Sequence, residues 1–248
     1  NCRLTATNLE VANLSGADLR GACFIRPWLN GASLEDCLFE TTLLADCDLS
    51  GVKGLAAARH SGPSIVGADS LARSKGLIPE DFLRQAGVAE PFIAAQEEIR
   101  RTGKTMPKIL LVNSVTDATL AARIQEGLRE SGVQSWTLAA DDEEVLQADQ
   151  GALERIIYYD LVVLVCSTQA LVNPHTCRVF SQLEPGAGAA HRPRLVTVAT
   201  DDRLYTRQDN LCAQLRQTEV VDLRGWEDEE SYQDGLGRLV AAIAKADG

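Results

Sequence analysis

Ala12-Asn-Leu-Ser-Gly16, followed at once by Ala17-Asp-Leu-Arg-Gly21, is the stretch on which the fold turns. Each block puts a small residue first and leucine third, and the pattern spreads in both directions. Leu4, Leu9, Leu14, Leu19, Phe24, Leu29, Leu34, Phe39, Leu44 and Leu49 set a large apolar residue at every fifth position. Two places before each stand Cys2, Thr7, Ala12, Ala17, Ala22, Pro27, Ala32, Cys37, Thr42 and Cys47, all small or compact. A period of five fits neither the 3.6 of a helix nor the 2.0 of a strand, so the chain must turn regularly and send one position inward each time. That describes a solenoid. Four blocks make a coil of about 20 residues, in which Leu4, Phe24 and Leu44 stack and each coil touches only its neighbours.

These blocks resemble the pentapeptide-repeat family. The resemblance implies a right-handed, four-sided β-helix over residues 1–55. The register opens mid-block at Cys2, so further coils are expected before Asn1. Some acidic members of that family imitate DNA in outline and bind topoisomerases. Here Arg3, Arg20, Arg26 and Lys53 stand against seven acids in residues 1–55. That modest balance suits a scaffold or oligomerisation surface better than a phosphate-like stripe.

The whole chain has 248 residues, room for about two domains. Its 24 Lys+Arg against 35 Asp+Glu give a net charge of −11, which argues against binding to nucleic-acid backbones. The longest apolar run, Leu161 to Cys166, is hemmed in by Asp160 and Ser167, so no membrane span is expected. No signal peptide is visible. The cysteines at 2, 23, 37, 47, 166, 177 and 212 form an odd set with no CxxC pair, which fits buried thiols in a reducing cytoplasm and no metal.

Past Gly51 the register ends, and residues 56–107 read as a helical connector. Pro79 to Gly87 has proline at a helix start, acids in its first turn and glycine just past its end. Pro91 to Arg101 repeats that logic, with Phe92, Ile93 and Ile99 expected near one face. His60, alone beside Ser and Gly, is read as a turn or packing residue rather than a catalytic base. The segment from His60 to Ile93 resembles the connector that joins pentapeptide repeats to a TIR domain in bacterial proteins.

Residues 108–248 alternate. Strands are expected at Lys108–Asn113, Val133–Leu138, Leu161–Cys166, Arg194–Ala199 and Glu219–Leu223. Helices are expected from Asp117 to Glu130, around Leu153 to Ile157 and from Glu229 to about Ala246. Such alternation makes a five-stranded parallel sheet covered on both faces, most economically with flavodoxin-like winding. Ligands or partners are then expected at the C-terminal strand ends.

Leu111-Val-Asn-Ser-Val-Thr-Asp117, Gly132-Val-Gln-Ser-Trp136 and Tyr159-Asp-Leu-Val-Val-Leu-Val-Cys-Ser167 together resemble the first three strands of a TIR (Toll/interleukin-1 receptor-like) domain. The resemblance implies a ligand crevice, for which Asn113, Ser114, Asp117, Trp136 and Ser167 are the candidates. Helix capping explains Ser114 equally well, and core packing is the expected duty of Trp136. Many bacterial members cleave NAD with a glutamate on the helix after the third strand. Here that place falls on Val179 or, with one gap, Phe180. Neither side chain carries charge, and Glu184 lies about a helical turn further on. The loop Asp141, Asp142, Glu143 and Glu144 replaces the family's usual Pro-Gly-Asp and reads either as a solvated face or as a partner-docking loop. His175 and Cys177 supply half the ligands zinc needs, so no metal is expected.

Taken together, the sequence points to a bacterial signalling or defence protein in the cytoplasm. Its β-helix would position a catalytically degenerate TIR-like domain that binds itself or another TIR protein and needs no cofactor. Two alternatives stay open: an NAD hydrolase with Glu184 as a relocated acid and NAD as its ligand, and a topoisomerase-binding acidic repeat.

Overall fold

The computed structural model describes residues 2–103, 107–142, 156, 158–183 and 193–245. The chain divides into two compact units, Asn1–Thr105 and Met106–Gly248.

In the first unit the period of five has a backbone cause. Ala6, Val11, Gly16, Gly21, Arg26, Gly31, Asp36, Thr41 and Asp46 all take positive φ, between 48° and 74°. A left-handed corner every fifth residue swings the chain through one side of the coil. Strands β1 (Arg3–Thr5), β2 (Cys23–Ile25) and β4 (Leu43–Ala45) then pair in parallel, with Leu4, Phe24 and Leu44 in register. The other three sides are β3 (Leu38–Phe39), which follows Asp18, and the single rungs Asn8 to Trp28 and Asn13 to Ser33 to Lys53. Phe24, Leu29, Leu34, Phe39, Leu44 and Leu49 are wholly buried inside.

Only three of those nine corners are glycine. Val11 is β-branched, sits at φ 59° and is 78% exposed, so it bears the strain of a left-handed corner with little burial to offset it. Val11→Asn is expected to raise the stability of this unit by about 1 kcal/mol, measured as a higher urea midpoint.

The coil does not stop where its sequence register does. β5 (Arg59–His60) pairs with β3, and β6 (Ile65–Val66) pairs with β4. Leu38 meets Arg59 and Leu43 meets Ile65, so inserted residues stretch the turn but keep the ladder. Coiling therefore runs to Val66, beyond the expected end at residue 55.

Helix α1 (Ala68–Arg73) then closes the top. Ser70 Oγ donates to the Leu44 carbonyl and accepts from the Cys47 amide, both at 3.0 Å. One turn later the Leu49 amide donates to Ser74 Oγ at 3.0 Å. These hydroxyls meet backbone groups that would otherwise be buried without partners. Asp46 lies beneath, with Arg26 Nη1 at 2.8 Å and Arg73 Nε at 2.5 Å, which ties the coil to its cap.

Helices α2 (Glu80–Ala86) and α3 (Glu90–Thr102) add Phe82, Leu83 and Ile93 to the same apolar cluster, so the expected connector is part of the solenoid's core. Phe92 departs from its expected face: it is 56% exposed, while Gln96 takes the buried place and donates to the Ile78 carbonyl.

His60 stacks on Phe39 at 5.2 Å and meets the edge of Phe82 at 4.8 Å, with both ring nitrogens buried and unpartnered. Burial holds its pKa below the usual 6.5. The unfolded chain therefore binds the proton first, so stability is retained above about pH 6.5 and falls as the pH drops below it. His60→Leu is expected to flatten that part of the stability-against-pH curve, measured by urea unfolding at successive pH values.

The second unit holds five parallel strands: β7 (Ile109–Asn113), β8 (Ser135–Ala139), β9 (Leu161–Cys166), β10 (Arg194–Ala199) and β11 (Glu219–Asp222). Their spatial order is β8-β7-β9-β10-β11, the flavodoxin-like order. Alternate residues feed two cores. Ile109, Leu111, Val163 and Val198 pack under α4 (Ala118–Glu130) and the C-terminal helix Glu229–Ala244. Leu110, Val112, Leu164 and Cys166 pack on the other face with α5 (Thr168–Val172) and α6 (Pro174–Gln182).

Candidate functional site

Strand order reverses between β7 and β9, so their C-terminal ends splay into a crevice. Seven residues converge there, and five of them, Asn113, Ser114, Asp117, Asp141 and Ser167, are sequence candidates. Ser114 Oγ donates to Asp141 Oδ2 at 2.8 Å, and the Val115 amide donates to Asp141 Oδ1 at 2.7 Å. Asn173 Nδ2 reaches Asp141 Oδ2 at 2.7 Å, while its own Oδ1 accepts from the His175 amide and starts α6. Across the crevice, Ser167 Oγ donates to Asp117 Oδ2 at 2.7 Å and also accepts from the Ala170 amide. Asn113 is buried, and its Nδ2 donates to the Ser114 carbonyl while Oδ1 has no partner.

Burial pushes the Asp117 carboxyl up, against the Ser167 hydrogen bond that lowers it; the nearby Asp201 and Asp141 carboxylates add to the rise. Asp201, which receives the Thr168 amide at 2.6 Å, and Asn173 are not among the sequence candidates. The available signals were an acid just past the fourth strand and an Asn-Pro pair at a helix start. With three carboxylates gathered here, an incoming phosphate would meet repulsion.

Asp141 corrects the picture of a solvated acidic loop, because its carboxylate turns inward and links the ends of β7, β8 and α6. Asp142 follows it, its amide on the Ala139 carbonyl. Glu143, Glu144 and Glu184 lie outside the described residues. Val179 is half-buried, and Phe180 is fully buried among Val112, Leu164 and Leu183 in the core beneath α6.

Trp136 fits neither of its expected duties. It pairs with Leu110, three residues before the crevice end of β7, and is 47% exposed against Tyr159, with ring centroids 5.8 Å apart. His175 is exposed while the Cys177 thiol donates to the Leu171 carbonyl, so the two are not joined in a site. Among the described residues no group of three or more His, Cys, Asp or Glu could hold a metal, and no helix is long and apolar enough to cross a membrane.

Residues 1–26 match the family model for pentapeptide repeats, eight copies in length. No curated protein matches the chain.

Proposed function

We propose that this is a bacterial signalling or defence protein of the cytoplasm, in which the β-solenoid serves as scaffold for a TIR-like module acting through contact with other proteins. The observation that carries this reading is that the crevice closes on itself. Asp141 accepts three hydrogen bonds from its own walls, and Asn173 spends both ends of its amide. A dinucleotide's pyrophosphate would have to displace these bonds against three carboxylates. The place that the TIR resemblance gives to the catalytic acid falls on Val179 or the buried Phe180. In the purified full-length chain, nicotinamide release from NAD is expected to be no faster than in a Glu184→Gln control. Release that Glu184→Gln abolishes would overturn the reading.

A second reading, an NAD hydrolase, is favoured by Asp117. Its carboxyl is raised by burial and sits at the switch point, the kind of perturbed group that collects at reaction sites. Turnover lost on Asp117→Asn, with the fold intact by circular dichroism, would establish it.

A further inference from the structure

The two edges of the five-stranded sheet are finished differently. Along β11, Glu219 pairs with Arg194 and Lys245, and Asp222 pairs with Arg224. Charges of this kind discourage a further strand. The other edge is β8, and Val133-Gln-Ser-Trp-Thr-Leu-Ala-Ala140 holds no charge and no proline.

The Ala140 amide donates to the Asn113 carbonyl at 2.8 Å, which fixes the parity of the strand. Trp136 and Leu138 aim their backbone groups at β7, while Ser135, Thr137 and Ala139 aim theirs outward. The outer carbonyl of Ser135 accepts from Gln125 Nε2 at 2.9 Å, and that of Ala139 accepts from the Asp142 amide at 3.3 Å. Thr137 lies between them, exposed, and among the described residues no hydrogen bond reaches its outward N–H or C=O.

We propose that this edge receives a second copy of the chain, β8 against β8 in antiparallel sense about a two-fold axis through Thr137, so that two sheets become one of ten strands. The inference rests on the protein-contact reading above and names its partner. Its support is self-complementarity, as an isologous contact requires. On the axis, each Thr137 N–H meets the other copy's Thr137 C=O, and the outward N–H groups of Ser135 and Ala139 face the partner's Ala139 and Ser135 carbonyls, which accept them on their second lone pairs. Trp136 then faces Leu138 on one side of the ribbon, and Ser135 faces Ala139 on the other. The aromatic–aliphatic pair covers an indole that is otherwise 47% exposed. Two chains of net charge −11 repel each other, but this strip opposes no like charges across the pairing.

Sedimentation equilibrium of the full chain over rising concentration is expected to show mass climbing from one chain to two. Thr137→Lys sets like charges face to face on the axis and is expected to raise the dimer Kd at least about tenfold, with no change in melting temperature at dilutions where both chains are monomers. A separate Thr137→Cys chain places its two thiols opposite each other, with Cα atoms about 5.5 Å apart, within disulfide reach. Added diamide, which takes up the two hydrogens, is expected to yield a 137-to-137 cross-link identifiable by mass spectrometry. A monomer at every concentration would overturn the pairing, as would a dimer indifferent to Thr137→Lys that gives no such cross-link. A monomer without NAD turnover sinks the edge pairing alone. NAD turnover by a chain that still cross-links at 137 sinks the contact reading alone.

Discussion

Asp46→Ala is expected to cost the N-terminal unit about 3–5 kcal/mol, because it removes a buried carboxylate on which the guanidinium groups of Arg26 and Arg73 both close. The Asp46 side chain is only 6% exposed and Arg26 only 11%, so water cannot take over its role. Arg73 belongs to α1, and the loss should reach the cap as well as the coil. Amide exchange across Leu43–Leu49 in urea is the measurement, with faster opening expected at Cys47 and Leu49, whose amides rest on Ser70 and Ser74. Asp46→Asn keeps the shape and removes the charge, so it should be nearly as damaging. A wild-type midpoint for Asp46→Asn would show that the ion pairs contribute nothing.

Asp141→Ala should be the second most damaging change, at about 3 kcal/mol. Its carboxylate accepts from Ser114, Val115 and Asn173, joining three loops that the sheet alone leaves separate. Ser114 Oγ has Thr116 Oγ1 at 3.0 Å as an alternative partner, whereas no second acceptor is seen for the Val115 amide among the described residues. Val115 is 48% exposed, so its amide turns to water and exchanges faster, while the stability cost falls on the part-buried bonds from Ser114 and Asn173. Thermal unfolding of the second unit and amide exchange at Val115 measure it, and unchanged exchange at Val115 would contradict the account. Asp141→Asn keeps one acceptor oxygen and should recover part of the loss.

Several features of this chain could be read directly. Leu161–Cys166 and Arg194–Ala199 form strands over the residues expected, because a strand buried on both faces is a short, mostly apolar run: the first is apolar throughout, and the second breaks the run only at Arg194 and Thr197. Pro79 and Gly87 frame α2 because each acts through its own backbone, proline by its fixed φ and glycine by the left-handed C-cap at φ 86°. The crevice was partly legible too. Ser114, Asp117 and Ser167 meet there because they follow strands whose ends share one side of the sheet. Asn173 and Asp201 come from elements further along the chain, and only folding brings them to it.

Trp136 shows the limit of such reading. Its neighbours in sequence are those of a core strand, but β8 ends the sheet, as flavodoxin-like winding implies, and at an edge burial depends on what else reaches the side chain. Phe92 fails for the same reason, since helical spacing defines a stripe without saying which part of it a neighbour will cover.

What the sequence determined by itself was local and periodic. A corner every five residues, apolar alternation along strands, and helix starts and stops follow from steric preferences that each residue carries with it. The tertiary structure alone decided that coiling runs on to Val66, since a parallel ladder needs only backbone groups at the right height and tolerates inserted residues. It alone set Ser70 and Ser74 against the open rung, turned Asp141 inward and left Trp136 of β8 half-exposed. Those outcomes depend on hydrogen-bond partners and burial between segments far apart in the chain, and no local pattern encodes them.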